Sequence, residues 1–92
     1  MIKSFAHKGL ENFHLTGSHA GIQVIHAKRL RLILAVLNDA QSIEDIDAPA
    51  LRLHPLKGDM AGLWAVTVQS NWRVIFRFDD GDAYLVDYLD YH

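Results

Sequence analysis

The sequence of 92 residues contains no cysteine and only two prolines. Without cysteine the chain forms no disulfide bonds and offers no thiolate metal ligands, which fits a reducing compartment. Long hydrophobic runs are missing too: the longest, Leu32 to Leu37, is far too short to span a membrane, and the first residues lack the apolar stretch of a signal peptide. We therefore expect a cytoplasmic protein that does not contact membranes.

A large excess of charge of either sign is also absent, since nine lysines and arginines face eleven aspartates and glutamates, for a net charge of −2. Proteins that bind nucleic acids usually carry a basic excess, so the total charge argues against that class. The distribution keeps it open, because the acidic residues gather in two predicted loops, 44–47 and 79–82. The cations of the second half lie on or beside its predicted strands: Arg52, Lys57, Arg73 and Arg77.

The apolar residues of the first half have helical spacing. A weak pattern at 7–17 and a strong one from Ile22 to Asn38 predict two helices, after a brief first strand at 1–5. Pro49 lies in the linker that follows and biases Ala48 toward an extended backbone. Beyond the linker the apolar period changes to two, which predicts strands.

The predicted strands follow one another too closely for crossover helices, so an antiparallel meander is the simplest connection. They occupy a short segment at 51–54 and three longer ones at 63–69, 72–79 and 83–89. This element order predicts an α+β fold, a single domain spanning residues 1–92, in which two N-terminal helices pack on one face of a small antiparallel sheet. Arg73 and Arg77 would then lie on the sheet face that the helices leave uncovered.

Several groups suited to proton transfer or phosphate binding stand in the second half. They are His54, Lys57, Arg73 and the last three residues, Asp90, Tyr91 and His92. Each has a more common structural explanation when taken alone, such as packing or a solvated strand end. Together they supply a base for a ribose 2′-hydroxyl, an acid for the leaving oxygen and cations for the phosphorane. Metal-free cleavage of RNA requires these groups.

Four other histidines, His7, His14, His19 and His26, raise the alternative of a metal site. None forms an HExxH-like pattern, and there is no cysteine to complete a zinc site. The sequence also shows no glycine-rich phosphate loop, serine nucleophile elbow or dinucleotide fingerprint. It therefore predicts neither a metal nor a cofactor.

Four segments together resemble one family. The opening "MIKSFAHKGL", the central "RLHPLKGD", the paired "LWAVTVQSNWRVIFRF" and the ending "GDAYLVDYLDYH" are similar to those of HigB toxins of the RelE/ParE superfamily. The resemblance implies a small α+β fold with a twisted antiparallel sheet, and a ribosome-dependent endoribonuclease that cleaves messenger RNA and inhibits translation. The chain departs from the family at Met60, where relatives often carry a basic residue, and between Gly17 and His26.

The resemblance also implies the site. Catalytic roles fall to His54, Asp90, Tyr91 and His92, and contacts with RNA phosphates to Lys57 and Arg73. We expect Arg77 to contact RNA phosphates too, because it lies on the same predicted sheet face as Arg73. We expect His92 and Asp90 to transfer protons, with His54 as the second imidazole and Tyr91 orienting or stacking on a base. Which imidazole is the base stays open, although a terminal carboxylate beside His92 favours its protonated form and so the role of acid. We further expect His92 to be ordered against the face that carries Arg73.

The partners implied by the resemblance are a HigA-type antitoxin with a helix-turn-helix, the ribosome and messenger RNA, with operator DNA reached only through the antitoxin. Two other functions stay open on the same scaffold. A ParE-like toxin would inhibit DNA gyrase by binding, and would not need the set of His54, Lys57 and the three terminal residues. A degenerate toxin would persist only as an antitoxin-bound co-repressor.

Overall fold

The structure is a computed structural model that describes residues 1–91. Its α-helices and strands are α1 (Lys8–Thr16), α2 (Ala27–Asp39), β1 (His54–Pro55), β2 (Trp64–Gln69), β3 (Trp72–Asp79) and β4 (Asp82–Asp90). The strands form one antiparallel sheet in the order β1-β2-β3-β4, so the predicted α+β class and meander are confirmed. Among residues 1–91, neither α-helix has the length and apolar composition that spanning a bilayer requires.

Alternating residues of the strands fill the main core between the sheet and the helices. The sheet contributes Val66, Val74, Phe76 and Val86, and α2 contributes Leu30, Ile33, Leu34 and Leu37. Burying an aliphatic or aromatic side chain of this size contributes about 1.5–3 kcal/mol. Because a slip of one residue would turn every such side chain outward, the alternation fixes which face of the sheet meets the helices.

The first residues run beside β4, although the predicted first strand is reduced to two isolated bridges. Ile2 pairs with Ala83 and Phe5 with Val86, both in parallel. The amide of Lys3 also donates to the carbonyl of Ala83 at 2.8 Å. These bonds cover the outer edge of β4, which would otherwise present unpaired backbone groups.

The helix α1 ends where the sequence predicts, at Thr16, followed by Gly17 in the left-handed region with φ of 79°. Its start is capped by an imidazole, because Nδ1 of His7 accepts the N–H of Leu10 at 2.9 Å. His7 therefore serves the backbone of the helix.

The helix α2 begins at Ala27, so the predicted start at Ile22 was wrong by more than a turn. A 3₁₀ turn, Val24–His26, precedes it. The physical reason is a backbone contact between this segment and α1. A Cβ atom at Gly21 would lie only 2.3 Å from the Cα of Gly9. The chain thus enters α2 along a path set by α1 rather than by helical hydrogen bonds.

The sheet face opposite the helices is not left open, contrary to the prediction. The loop between β1 and β2 lies against its centre through Leu56 and Met60, and Ala65 and Ile75 are buried beneath it. This small apolar cluster covers the middle of β3, so that Arg73 and Arg77 stand on either side of it.

Candidate active site

A cleft lies at the edge of the sheet where β1 is too short to cover β2. The ladder pairs only His54 with Ala65 and Pro55 with Trp64, so in the described chain the rest of β2 has no strand on that side. The cleft has a volume of about 540 Å³. It is lined by Arg29, Ala50, Arg52, His54, Thr67, Ser70 and Arg73.

Arg29 of α2 supplies hydrogen bonds where β1 does not reach. Its Nε and one terminal nitrogen donate to the carbonyl of Thr67 at 3.3 and 3.1 Å, and the same terminal nitrogen donates to the carbonyl of Ala50 at 2.5 Å. Because a guanidinium holds five donors in one rigid plane, a single side chain ties α2, β2 and the segment before β1 together. This brace fixes the backbone that leads into Arg52 and His54.

The cleft is basic although the chain as a whole is not. Of its seven described lining residues, three are arginines, one is histidine and none is acidic. Charges of one sign in a concave site reinforce one another, because the low-dielectric walls focus their field. A phosphate group is therefore attracted to this cleft even though the net charge of the chain is −2.

One nitrogen of the His54 ring is held by the backbone. Its Nδ1 lies 2.9 Å from the carbonyl oxygen of Arg52. A carbonyl only accepts, so Nδ1 carries a hydrogen, and Nε2 has the lone pair of the neutral ring. Arg52 has φ of 53°, a left-handed conformation uncommon outside glycine, and it presents its carbonyl to the ring in this conformation. The geometry leaves Nε2 as the ring nitrogen that can accept a proton.

Arg73 is also oriented by backbone carbonyls. Its Nη1 donates to the carbonyls of Ser70 at 2.5 Å and Trp72 at 3.1 Å. Its Nε is buried and has no hydrogen-bond partner among residues 1–91. Leaving such a donor unsatisfied costs about 1–3 kcal/mol. The carbonyl bonds hold the guanidinium at the lining of the cleft, where it contributes positive charge.

The sheet register sets the spacing between these two groups. His54 pairs with Ala65, and Arg73 pairs with Thr67, which lies two residues further along β2. Both side chains therefore share one face, with Thr67 between them. Two strand spacings of about 4.8 Å and an offset of two residues at about 3.3 Å each separate their Cα atoms by roughly 12 Å. The side chains can approach one phosphate from opposite sides across this distance.

Two of the predicted cations lie outside the cleft lining. Lys57 is exposed and precedes the 3₁₀ turn Gly58–Met60. The guanidinium carbon of Arg77 lies 4.6 Å from the ring centre of Tyr84. Four residues of strand place Arg77 about 13 Å from Arg73. The structure does not bring these two cations together with the cleft arginines, and their contacts with RNA stay predictions.

The end of the described chain is anchored beside the cleft. The amide of Tyr91 donates to the carbonyl of Asn71 at 2.8 Å, and Asp90 pairs with Trp72 in the β3–β4 ladder. Both residues are therefore held at the turn between β2 and β3, whose Ser70 lines the cleft.

The register nevertheless separates Asp90 from Arg73. Paired residues of a sheet share a face, so Asp90 lies with Trp72 on the helix side, whereas Arg73 pairs with Leu89 on the opposite side. Asp90 therefore does not share the face that carries Arg73. His92, together with the prediction that it is ordered against the face of Arg73, lies outside the described residues.

Sequence reasoning missed Arg29, the brace of the cleft. The helical pattern marks His26 and Ile33 as buried positions, and Arg29 stands three residues after the first and four before the second. It therefore borders the buried stripe. An arginine at such a border has carbonyls of neighbouring elements within its reach, a signal that separates it from the exposed Lys28.

A buried hydrogen bond between β4 and the 3₁₀ turn before α2 lies on the helix side of the sheet, near the start of β3. Nδ1 of His26 lies 2.6 Å from the hydroxyl of Tyr88, which also accepts the N–H of Gln23 at 3.4 Å. Burial raises the pKa of Tyr88 above its ordinary value, and the hydrogen bond from Gln23 opposes that rise. The ring of Trp72 packs on both, at centroid distances of 4.7 Å to Tyr88 and 5.5 Å to His26.

Solved structures of bacterial toxins have the same fold. A YafQ mutant from E. coli superposes with a TM-score of 0.62 at 17% identity, covering 96% of this chain and 89% of that one. The YoeB/ParE toxin from Agrobacterium tumefaciens gives the same score and identity, covering 99% and 96%. The fold is therefore that of the RelE-like toxins.

The family follows from the sequence comparison. The family model of the RelE-like toxin of type II toxin-antitoxin system HigB matches residues 3–92. The Endoribonuclease HigB of Proteus vulgaris is 42% identical over 92 residues, 100% of both chains. The chain belongs to this family of HigB-like toxins. It is therefore an endoribonuclease, and an antitoxin is its partner.

Proposed function

We propose that this endoribonuclease toxin cleaves messenger RNA on the ribosome through attack of a ribose 2′-hydroxyl on the adjacent phosphate, and that a HigA-type antitoxin neutralises it. The observation that carries the proposal is the cleft, whose described lining holds three arginines and a histidine but no carboxylate. Guanidinium groups bind phosphate oxygens through charge-assisted hydrogen bonds, so this lining suits a phosphodiester.

His54 is proposed as one proton-transfer group. The hydrogen bond from Nδ1 to the carbonyl of Arg52 holds the ring, so Nε2 takes the 2′-hydroxyl proton without any rotation. Proton transfer by a positioned side chain contributes about 10²–10⁴-fold to the rate. The second transfer, to the leaving 5′-oxygen, is proposed for Asp90 and His92 at the end of the chain, with Tyr91 orienting or stacking on a base.

Arg73 is proposed to hold the scissile phosphate. Two carbonyls fix its Nη1 and so hold the guanidinium at the lining of the cleft. A preorganised donor aimed at the developing charge lowers the barrier by about 2.7–4 kcal/mol at comparable sites. Arg52 adds a second guanidinium to the lining. Lys57 and Arg77 are proposed to contact the phosphate and the flanking RNA from outside the cleft.

The ribosome is proposed to deliver the substrate. Electrostatic attraction to RNA grows with the number of phosphates neutralised, and a chain with a net charge of −2 attracts free RNA weakly. A small basic cleft on a mildly acidic surface suits a strand that another body already holds in place. A toxin that acts on ribosomes works in the cytoplasm, and there it reaches operator DNA only through the antitoxin.

The test measures single-turnover cleavage of one messenger RNA, both on programmed ribosomes and free in solution. We expect cleavage on ribosomes, slowed about 10²–10⁴-fold by His54→Ala. The variant Lys3→Ala changes an exposed cation beside β4 and serves as the control with wild-type rate.

Equal cleavage of free and ribosome-bound RNA would contradict the dependence on the ribosome. Intact RNA together with inhibition of supercoiling by purified DNA gyrase would support the ParE-like alternative. A degenerate toxin would leave both RNA and gyrase activity unaffected. Its expression without the antitoxin would also leave growth unchanged.

A further inference from the structure

The helix α2 has a second apolar stripe, which faces solvent. Val24 and Ile25 of the preceding 3₁₀ turn are 69% and 73% exposed, and Leu32 is 51% exposed. Ile25 and Leu32 enclose a groove of about 440 Å³ together with Lys28 and Arg29. A surface helix normally buries one apolar stripe and keeps its other side polar. Because the buried stripe of α2 already fills the core, these outer residues have no role in the fold.

The outer stripe has the spacing of a helical docking surface. Ile25 and Leu32 are seven residues apart, which is about two helical turns, so both side chains border the same groove. Ala35 is exposed beside them and leaves room for the backbone of a partner to approach closely. Apolar anchors at such intervals, together with a shallow groove, are typical of binding an amphipathic segment, and an exposed cluster of apolar side chains on a small domain marks an interaction site.

The charges around this stripe select the kind of partner. In the first two turns of α2 every charged residue is basic: Lys28, Arg29 and Arg31. The complementary surface is acidic. The stripe itself contains no aromatic side chain on which a base could stack, and aliphatic side chains favour a protein over a nucleic acid.

We infer that the antitoxin docks on this stripe. It presents an amphipathic segment whose apolar residues cover Ile25 and Leu32 and whose acidic residues meet Lys28. The inference rests on the proposed function only in taking the antitoxin to be of the HigA type. It does not depend on how the toxin cleaves RNA. Arg29 lines both the groove and the cleft. A segment seated in the groove therefore stands at the rim of the cleft and competes with RNA for access.

The experiment titrates the purified cognate antitoxin into the free toxin by calorimetry. The double variant Ile25→Glu/Leu32→Glu should bind at least about 100-fold more weakly, since central apolar anchors dominate the affinity of an interface. Leu15→Glu is the matched control, because this leucine is 69% exposed on α1 and should bind like the wild type. Thermal unfolding verifies that each variant folds, and ribosomal cleavage without antitoxin should change less than about twofold.

Lys28→Glu tests the electrostatic part separately. It should weaken binding about tenfold at low salt and by less at high salt. Unchanged affinity of the double variant would overturn the inference. So would loss of ribosome binding by that variant with its antitoxin affinity intact, or loss of a toxin dimer seen by sedimentation, since the stripe would then belong to the ribosome or to a second copy. A wild type that binds antitoxin through the stripe but cleaves no RNA would refute only the proposed function.

Discussion

The strand β3 carries an arginine on the same face near each end, in two different surroundings. At the start of the strand, Arg73 is bonded to two carbonyls and has a buried donor beside the cleft. Toward the other end, Arg77 is exposed and packs on the ring of Tyr84. The difference comes from the surrounding strands. The short β1 leaves the edge of β2 uncovered beside Arg73, whereas Tyr84 of β4 packs against Arg77. What an arginine on a strand can bind thus depends on the backbone that adjacent elements leave uncovered.

The largest expected effect separates the two arginines directly. Arg73→Ala should slow cleavage on ribosomes by about 10²–10³-fold, as expected for removing a preorganised donor to a developing anion. Arg77→Ala should slow it by less than about threefold, because this side chain is exposed and packs on a tyrosine outside the cleft lining. Single-turnover rates at saturating ribosome concentration measure both. Equal losses would show that the whole basic face, rather than the cleft, binds the RNA.

A smaller effect should follow from removing Arg29, which braces the backbone beside the cleft. Arg29→Ala leaves the carbonyls of Ala50 and Thr67 without this donor, so cleavage should fall about 5–100-fold, corresponding to roughly 1–3 kcal/mol. Nitrogen NMR of the His54 ring should then show a mixture of tautomers in place of one. Arg29→Lys should restore only part of the rate, because an ammonium cannot span both carbonyls in a plane.

Arg31→Ala is the matched control for the brace, because Arg31 packs its guanidinium on the ring of Phe13, away from the cleft. A normal rate and a single His54 tautomer in Arg29→Ala would show that the segment before β1 is held by other contacts.

The smallest effect contrasts two tyrosines of β4, which pair with opposite ends of β3: Tyr88 with Val74 and Tyr84 with Arg77. Burial raises the native pKa of Tyr88 above its unfolded value of about 10. Above about pH 10 the unfolded chain therefore releases a proton that the native state keeps. The free energy of unfolding should fall there by up to about 1.4 kcal/mol per pH unit, until the pH passes the native pKa.

Urea unfolding between about pH 8 and about pH 11 measures this dependence. Tyr88→Phe should flatten it, whereas Tyr84→Phe should keep it. The same alkaline slope in both variants would assign the proton to another group.

The sheet was predictable because its side chains alternate. Trp72, Val74 and Phe76 on one face and Arg73 on the other follow from the period of two, and the structure confirms them. The start of α2 was not predictable, since the contact between two backbone segments that delays it leaves no periodic signal. The cover over the other face was missed for a similar reason, because it comes from a loop with only a few apolar residues.

The site was predictable in part. His54 and Arg73 follow from a family motif, and the structure gives both a place in the cleft. Arg29 was missed because its role depends on the carbonyls of Thr67 and Ala50, which are distant in sequence. No pattern of residue types reveals that β1 stops after two residues. The face on which Asp90 lies likewise depends on the exact ladder register.

The contact between Gly9 and Gly21 has a consequence for how substitutions are tolerated. Gly21 is exposed to solvent, and most substitutions at exposed positions change the stability little. A Cβ atom at either glycine would nevertheless fall within 2.6 Å of the other backbone. In a scan of all single substitutions we expect both positions to be as restricted as the buried core, because even alanine would push apart α1 and the turn that leads into α2.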